Sequence, residues 1–176
     1  CLQCTLPITI WGCLIIFPIV DSFAHYYSRM FIIIYRPIRS AQWIGDFDPK
    51  TATYSNIKHD NIQHALDVIE AIADRYAGHP AVLGIEPLNE PWQYTPIKLL
   101  KRFYWEGYLI VKKKAPFWKY IMHDAFRFDT NVWGGFMDGC PERALDTHIY
   151  QAWRDPDSRI GFYTDACRQK SAIANM

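Results

Sequence analysis

The chain has no field of charge of one sign. Its 19 Lys and Arg and 18 Asp and Glu residues are interspersed, for a formal net charge of +1. Nothing in that pattern draws in nucleic acid or an anionic membrane, so no nucleic-acid partner is expected. Metal-ligand patterns are scarce too. The five cysteines (Cys1, Cys4, Cys13, Cys140 and Cys167) are an odd number, which leaves at least one without a disulfide partner within the chain. Cys1 and Cys4 form a Cys-x-x-Cys, but no second pair and no His-x-His accompanies it, so neither a zinc nor a redox site is expected there. No Gly-x-Gly-x-x-Gly follows a strand, which counts against dinucleotide binding. Internal repeats and low-complexity linkers are missing. The first twenty residues carry no Asp, Glu, Lys, Arg or His. That composition suits a signal core or a membrane span, yet Pro7 and Pro18 interrupt a regular helix and no basic segment precedes the stretch. Residues 1–30 are left unassigned, with no membrane partner indicated.

What is present is enough for a packed domain. Half of the 176 residues are apolar and 16% are aromatic, so one globular domain over 31–176 is the simplest organisation. From Phe31 onward short apolar runs alternate with longer amphipathic ones, the pattern of strands and crossover helices. Phe31-Ile-Ile-Ile-Tyr35 reads as a buried strand. Asp60 to Tyr76 places Ile62, Leu66, Ile69, Ala73 and Tyr76 on one helical face, with Asp60 and Gln63 spaced as a capping box and Gly78 suited to the stop. Ala81 to Leu88 is a second strand. Thr95 and Pro96 read as an N-cap and first helical position, opening a helix through Leu99, Phe103, Tyr104 and Val111 that ends at Lys112, Lys113 and Lys114. That lysine run reads as a solvated helix end. Strands at Trp118 to Met122 and Ala144 to Ile149 follow, with a short helix near Asn131 to Met137 and a last one near Gly161 to Ala174.

Strands that are apolar throughout are buried on both faces, as in a parallel sheet covered by helices. Polar residues crowd just after three successive strands: Asn89 and Glu90, then His123 and Asp124, then His148 and Tyr150. Catalytic residues of a (β/α)₈ barrel gather at the C-terminal ends of its strands in this way. A full barrel takes about 250 residues, so an incomplete one is expected, holding about strands three to six.

Glu90 is the residue whose setting fits chemistry. An acid that protonates a leaving glycosidic oxygen needs a rigid, partly desolvated position, which a strand end provides. Asn89 offers an amide to a sugar hydroxyl, and Pro91 stiffens the exit from the strand. Gly84-Ile-Glu-Pro-Leu-Asn-Glu-Pro91 resembles the strand-four motif of glycoside hydrolase family 5. Ile121-Met-His-Asp-Ala-Phe126 and Asp146-Thr-His-Ile-Tyr-Gln151 resemble the strand-five and strand-six motifs of its fungal and oomycete exo-1,3-β-glucanase branch.

This resemblance implies a retaining TIM-barrel hydrolase of β-linked glucan, secreted or set in the cell wall, using neither metal nor cofactor. Carried over by motif, Glu90 is the acid/base and Asn89 holds the substrate 2-hydroxyl. His123 lines the sugar subsite, and His148 with Tyr150 contacts sugar or positions the nucleophile. Asp124 reads as a structural hydrogen-bonding group. Trp92, Phe126 and Trp153 are candidates to stack on sugar rings. Two departures stand out. Ile34-Tyr35-Arg36-Pro37 replaces the family's third-strand His segment, and no Gly-Glu segment follows the strand-six motif before Met176, so the nucleophile is expected to be missing. Glu86, inside its strand, and Glu142, in a turn, are poor substitutes for it. An inactive fragment or a non-catalytic glucan-binding relative remains an alternative, as does a family 5 endoglucanase or mannanase.

Overall fold

A proline sets the end of the central strand. Pro87 follows Glu86 and can donate no ladder hydrogen bond, so the strand that begins at Val82 ends at Glu86. A computed structural model describes residues 15–19, 29–33, 42–148, 150 and 158–165, the first two segments through their backbone. In chain order the strands are β1 (Ile15–Ile19), β2 (Arg29–Ile33), β3 (Asp46–Asp48), β4 (Thr53–Ser55), β5 (Val82–Glu86), β6 (Lys119–His123) and β7 (Arg143–Asp146). The helices are α1 (His59–Tyr76), α2 (Ile97–Lys114) and the short α3 (Thr130–Trp133), with a further helical turn over 159–165. One sheet runs β1-β2-β5-β6-β7, while β3 and β4 form a separate hairpin. Within the sheet β2, β5, β6 and β7 are parallel. β1 joins the edge antiparallel, which departs from an all-parallel arrangement. The described residues thus form an open α/β sheet, with no closure into a barrel among them.

The helices cover the sheet as their periodicity requires. Ile62, Leu66, Ile69 and Ala73 of α1 are buried, as are Leu100, Phe103, Tyr104 and Val111 of α2. They pack with Ile85 of β5 and Tyr120 of β6, both fully buried. Two glycines permit the close approaches. A Cβ on Gly84 would run into the Lys119 backbone of the neighbouring strand, and one on Gly107 into the Tyr120 hydroxyl.

Several sequence expectations shift. β2 begins two residues before Phe31, and residues 34 and 35 lie outside the described ones, as does most of the expected last helix. The Asp60–Gln63 capping box is not made: α1 is capped at Lys58 without a side-chain bond. The Lys58 N–H donates to the Ile44 carbonyl at 2.8 Å, which fixes the chain's path into the helix, and Gln63 donates to Asp67 instead. Pro96, not Thr95, is the N-cap of α2, because the Thr95 N–H closes a turn on the Trp92 carbonyl and the residue is buried. The lysine run is tied down. Lys112 donates to the carbonyls of Pro116 and Trp118, and Lys114 pairs with Glu70 and Asp74 of α1. β7 is not apolar on both faces but alternates exposed and half-buried. It stops at Asp146, whose carboxylate accepts the Thr147 N–H at 2.8 Å and so takes that donor from the ladder.

Candidate active site

Parallel strands bring their C-terminal ends to one edge, and here the ends of β5, β6 and β7 deliver Glu86, His123 and Asp146, with Glu90, His148 and Tyr150 on the loops just beyond. Glu90 sits at a left-handed φ of 47°, and Ala125 and Phe126 beside His123 at 58° and 57°. Side-chain-bearing residues enter that region at a cost, and such positions concentrate at functional sites.

The Glu90 carboxylate is the meeting point. Its Oε1 accepts from the Tyr150 hydroxyl and lies 2.7 Å from His148 Nδ1. The other nitrogen of that ring, Nε2, lies 3.1 Å from Asp146 Oδ2. His148 therefore bridges two carboxylates. The hydrogen bond to Asp146 outweighs burial and, with the bond to Glu90, raises His148 to about 9; it is an imidazolium at neutral pH. Burial works to push Glu90 up, but hydrogen bonds from Tyr150 and His148 carry it below the ordinary carboxylate value. The hydrogen bond from His148 likewise lowers Asp146 against the effect of burial. Donation to Glu90, ahead of burial, pushes the Tyr150 phenol up to about 12.

His123 is fully buried and meets His148 edge to face, with ring centroids 4.4 Å apart. Burial, then the His148 charge, lowers its pKa, so the ring is neutral. Its Nδ1 accepts the Ala125 N–H at 3.0 Å, which puts the ring hydrogen on Nε2. That Nε2–H is buried and has no partner among the described residues. Asp124 is structural, as expected. It accepts from the Phe126 N–H at 2.8 Å and the Thr147 hydroxyl at 2.7 Å, while its own N–H donates to the Asp146 carbonyl, pinning the loops after β6 and β7 together. Asn89 precedes Glu90 and is half-buried.

Sequence reasoning missed two members. Asp146 stood within a quoted motif but received no role, and Glu86 was set aside. Glu86 is only 4% exposed, and burial, then the Asp146 charge, raises it to about 8. Pro87 directly after it, which ends the ladder and makes Glu86 the last residue of the strand, was the available signal. Glu142 lies before β7 and pairs with Lys119 at 2.9 Å, away from Glu90. Among the aromatic candidates, Phe126 packs on His123 with centroids 5.1 Å apart. Trp92 joins an unforeseen group with Phe47 of the β3–β4 hairpin, at 6.0 Å, and Tyr94 of its own loop, at 5.8 Å. Trp153 lies outside the described residues.

Two triads have donor atoms within 4.8 Å of one another, Glu90–His123–His148 and Glu86–Asp146–His148. In both, His148 already spends its nitrogens on carboxylates, and the Nδ1 bond of His123 leaves its Nε2 a donor. The set is therefore arranged as a proton-bearing network that presents hydrogen-bond donors, the chemistry for holding hydroxyl-rich ligands and moving a proton at Glu90.

No protein-family model matches the chain. It is 36% identical over 113 residues to a glucan 1,3-beta-glucosidase of Blumeria graminis, covering 61% of this chain and 26% of that protein. A glucan 1,3-beta-glucosidase of Yarrowia lipolytica is 30% identical over 125 residues, covering 64% and 30%. The chain thus spans between a quarter and a third of the length of these curated relatives. The resemblance read from the three strand-end motifs is borne out by them. Among solved structures it superposes on Rhodococcus endo-glycoceramidase II in its iminocyclitol complex, with a TM-score of 0.52 at 16% identity over 77% of this chain and 33% of that one. The lactosyl-enzyme intermediate of the same protein gives 0.51 at 15%, over 77% and 32%. These are TIM-barrel glycosidases, and the likeness places the present sheet with part of that fold.

Proposed function

We propose that this chain carries the acid/base side of a retaining β-glycoside hydrolase that cleaves β-linked glucan, in the manner of a glucan 1,3-β-glucosidase. The observation that carries the reading is Glu90, held at the end of β5 by His148 and Tyr150 from beyond β7.

A retaining hydrolase uses one carboxyl group twice, first as an acid toward the leaving oxygen and then as a base toward water. With both donors in place Glu90 is a carboxylate, the form it needs as a base. Tyr150 is more than half exposed, so it is the donor that an arriving sugar displaces. Losing that hydrogen bond removes one of the two interactions that hold Glu90 ionised and lets burial raise its pKa toward the acid form. In this scheme Asn89 bonds the 2-hydroxyl beside the cleaved bond and the His123 Nε2–H meets another sugar hydroxyl. The proposed steps call on no metal ion and no organic cofactor. The attacking carboxylate of a retaining pair stands about 5–5.5 Å from the acid/base. Asp146 is bonded to His148, Glu86 is buried in the sheet and Glu142 pairs with Lys119, so none of them is given that part. Completion of the barrel and a secreted or cell-wall setting belong to the same proposal.

The test offers β-1,3-glucan, β-1,4-glucan and β-mannan to the protein in a form that includes its attacking carboxylate, and follows the anomeric protons of the released sugar by NMR. Fastest release from β-1,3-glucan, with the β-anomer appearing first, supports the reading. The α-anomer first sinks the retaining mechanism, faster cleavage of another polymer moves the substrate, and binding without cleavage leaves a glucan-binding protein.

A further inference from the structure

Three carboxyl groups share one cation at the end of the sheet. Glu90 and Asp146 each touch a nitrogen of His148, and the donor atoms of Glu86, Asp146 and His148 all lie within 4.8 Å of one another. Glu86 is the most deeply buried of the three carboxyl residues, at 4% exposure, and its Oε1 has no hydrogen-bond partner among the described residues. One imidazolium cannot balance three carboxylates in a half-buried site, so the most desolvated of them retains its proton. The proposed mechanism gives that group nothing to do.

We propose that Glu86 is a positioning residue that acts through His148 on Glu90: in its neutral form it leaves the imidazolium shared between Asp146 and Glu90, and its ionisation adds a competing anion within 4.8 Å of a ring nitrogen. This rests on the reading of Glu90 as the acid/base. The groups facing Glu86 are few. Asp146 and His148 come from the end of β7 and Glu90 from beyond its own strand, and their charges act on its carboxyl group. The buried Tyr104 phenol of α2 feels the Glu86 charge in turn. On the β2 side its register partner is the apolar Ile33, and on the β6 side the strand ends in His123, whose ring is neutral.

The consequence is electrostatic and readable. An anion about 4.8 Å from an imidazolium holds its proton by roughly half a pH unit even at the dielectric constant of water, and by more in a desolvated site. The experiment follows the His148 ring nitrogens by NMR against pH, in the full chain labelled with ¹⁵N-histidine, for wild type and Glu86→Gln. Expected is a His148 midpoint lower in the variant by half a pH unit or more. Glycan hydrolysis is profiled in parallel, and its alkaline limb should differ between the two proteins near pH 8. An unchanged His148 midpoint overturns the proposal. If the midpoint moves but a form that includes the attacking carboxylate hydrolyses no glucan, the hydrolase reading fails and the coupling stands. Should Glu86→Gln not fold, the Glu86 carboxyl carbon of the wild-type chain decides: titration near pH 8 supports the proposal, and titration in the ordinary carboxylate range overturns it.

Discussion

His148 and Glu90, 58 residues apart in sequence, meet at 2.7 Å. Neither the loop after β5 that carries Glu90 nor the loop after β7 that carries His148 holds the site alone. The parallel pairing of β5 with β6 and of β6 with β7 brings the two together, so the carboxyl chemistry depends on the sheet register between them.

Replacing Glu90 by Gln keeps the shape and removes the proton exchange. General acid–base catalysis contributes about 10²- to 10⁴-fold, so kcat on the preferred glucan should fall by that factor with KM little changed. Steady-state kinetics check this, and wild-type turnover in the variant removes Glu90 from the mechanism.

Tyr150→Phe deletes one of the two hydrogen bonds that keep Glu90 ionised. The Glu90 pKa should rise, and since the first step needs the acid form, the alkaline limb of kcat/KM should move upward. A hydrogen bond to a charged group is worth about 1.5 kcal/mol, or about one pH unit. A limb that stays put or moves down contradicts the role of Tyr150.

Stability should peak in mild acid. Glu86 is raised from 4.5 to about 8 and His148 from 6.5 to about 9, so each contributes fully below its ordinary value and loses that contribution as pH climbs through the higher one. Asp146, lowered from 3.8, loses its contribution as pH falls below that value. Urea midpoints should therefore decline from about pH 5 to 9. Glu86→Gln should flatten the part below pH 8, and a wild-type profile that rises across this range rules the scheme out.

Gly84→Ala should force β5 and β6 apart, because the added methyl group meets the Lys119 backbone rather than a yielding side chain. Overpacking of this kind costs about 1–3 kcal/mol, read as a lowered thermal midpoint. Gly78→Ala, where a Cβ meets nothing within 4 Å, is the matched control and should leave the midpoint nearly unchanged.

The sequence made the strand-end residues legible because a parallel sheet needs apolar strands and puts polar residues where they stop. Asn89, Glu90, His123, His148 and Tyr150 all follow from that. What escaped depends on pairing across the sheet. Glu86 looked like a misplaced strand residue because nothing local says that Asp146 and His148 stand beside it. The helix starts escaped for a similar reason: Lys58 is set by its bond to Ile44, and Thr95 by the turn that buries it. Phe47, in a short hairpin with no periodicity of its own, gave no sign that it would pack against Trp92 and Tyr94.

At φ 47°, Glu90 occupies backbone that glycine enters freely and that an L-residue with a side chain enters at a cost of about 1–2 kcal/mol. Folding alone would favour glycine there. A carboxylate at such a position costs the loop some of its robustness, and the hydrogen bonds from His148 and Tyr150 set the direction in which the carboxyl group points.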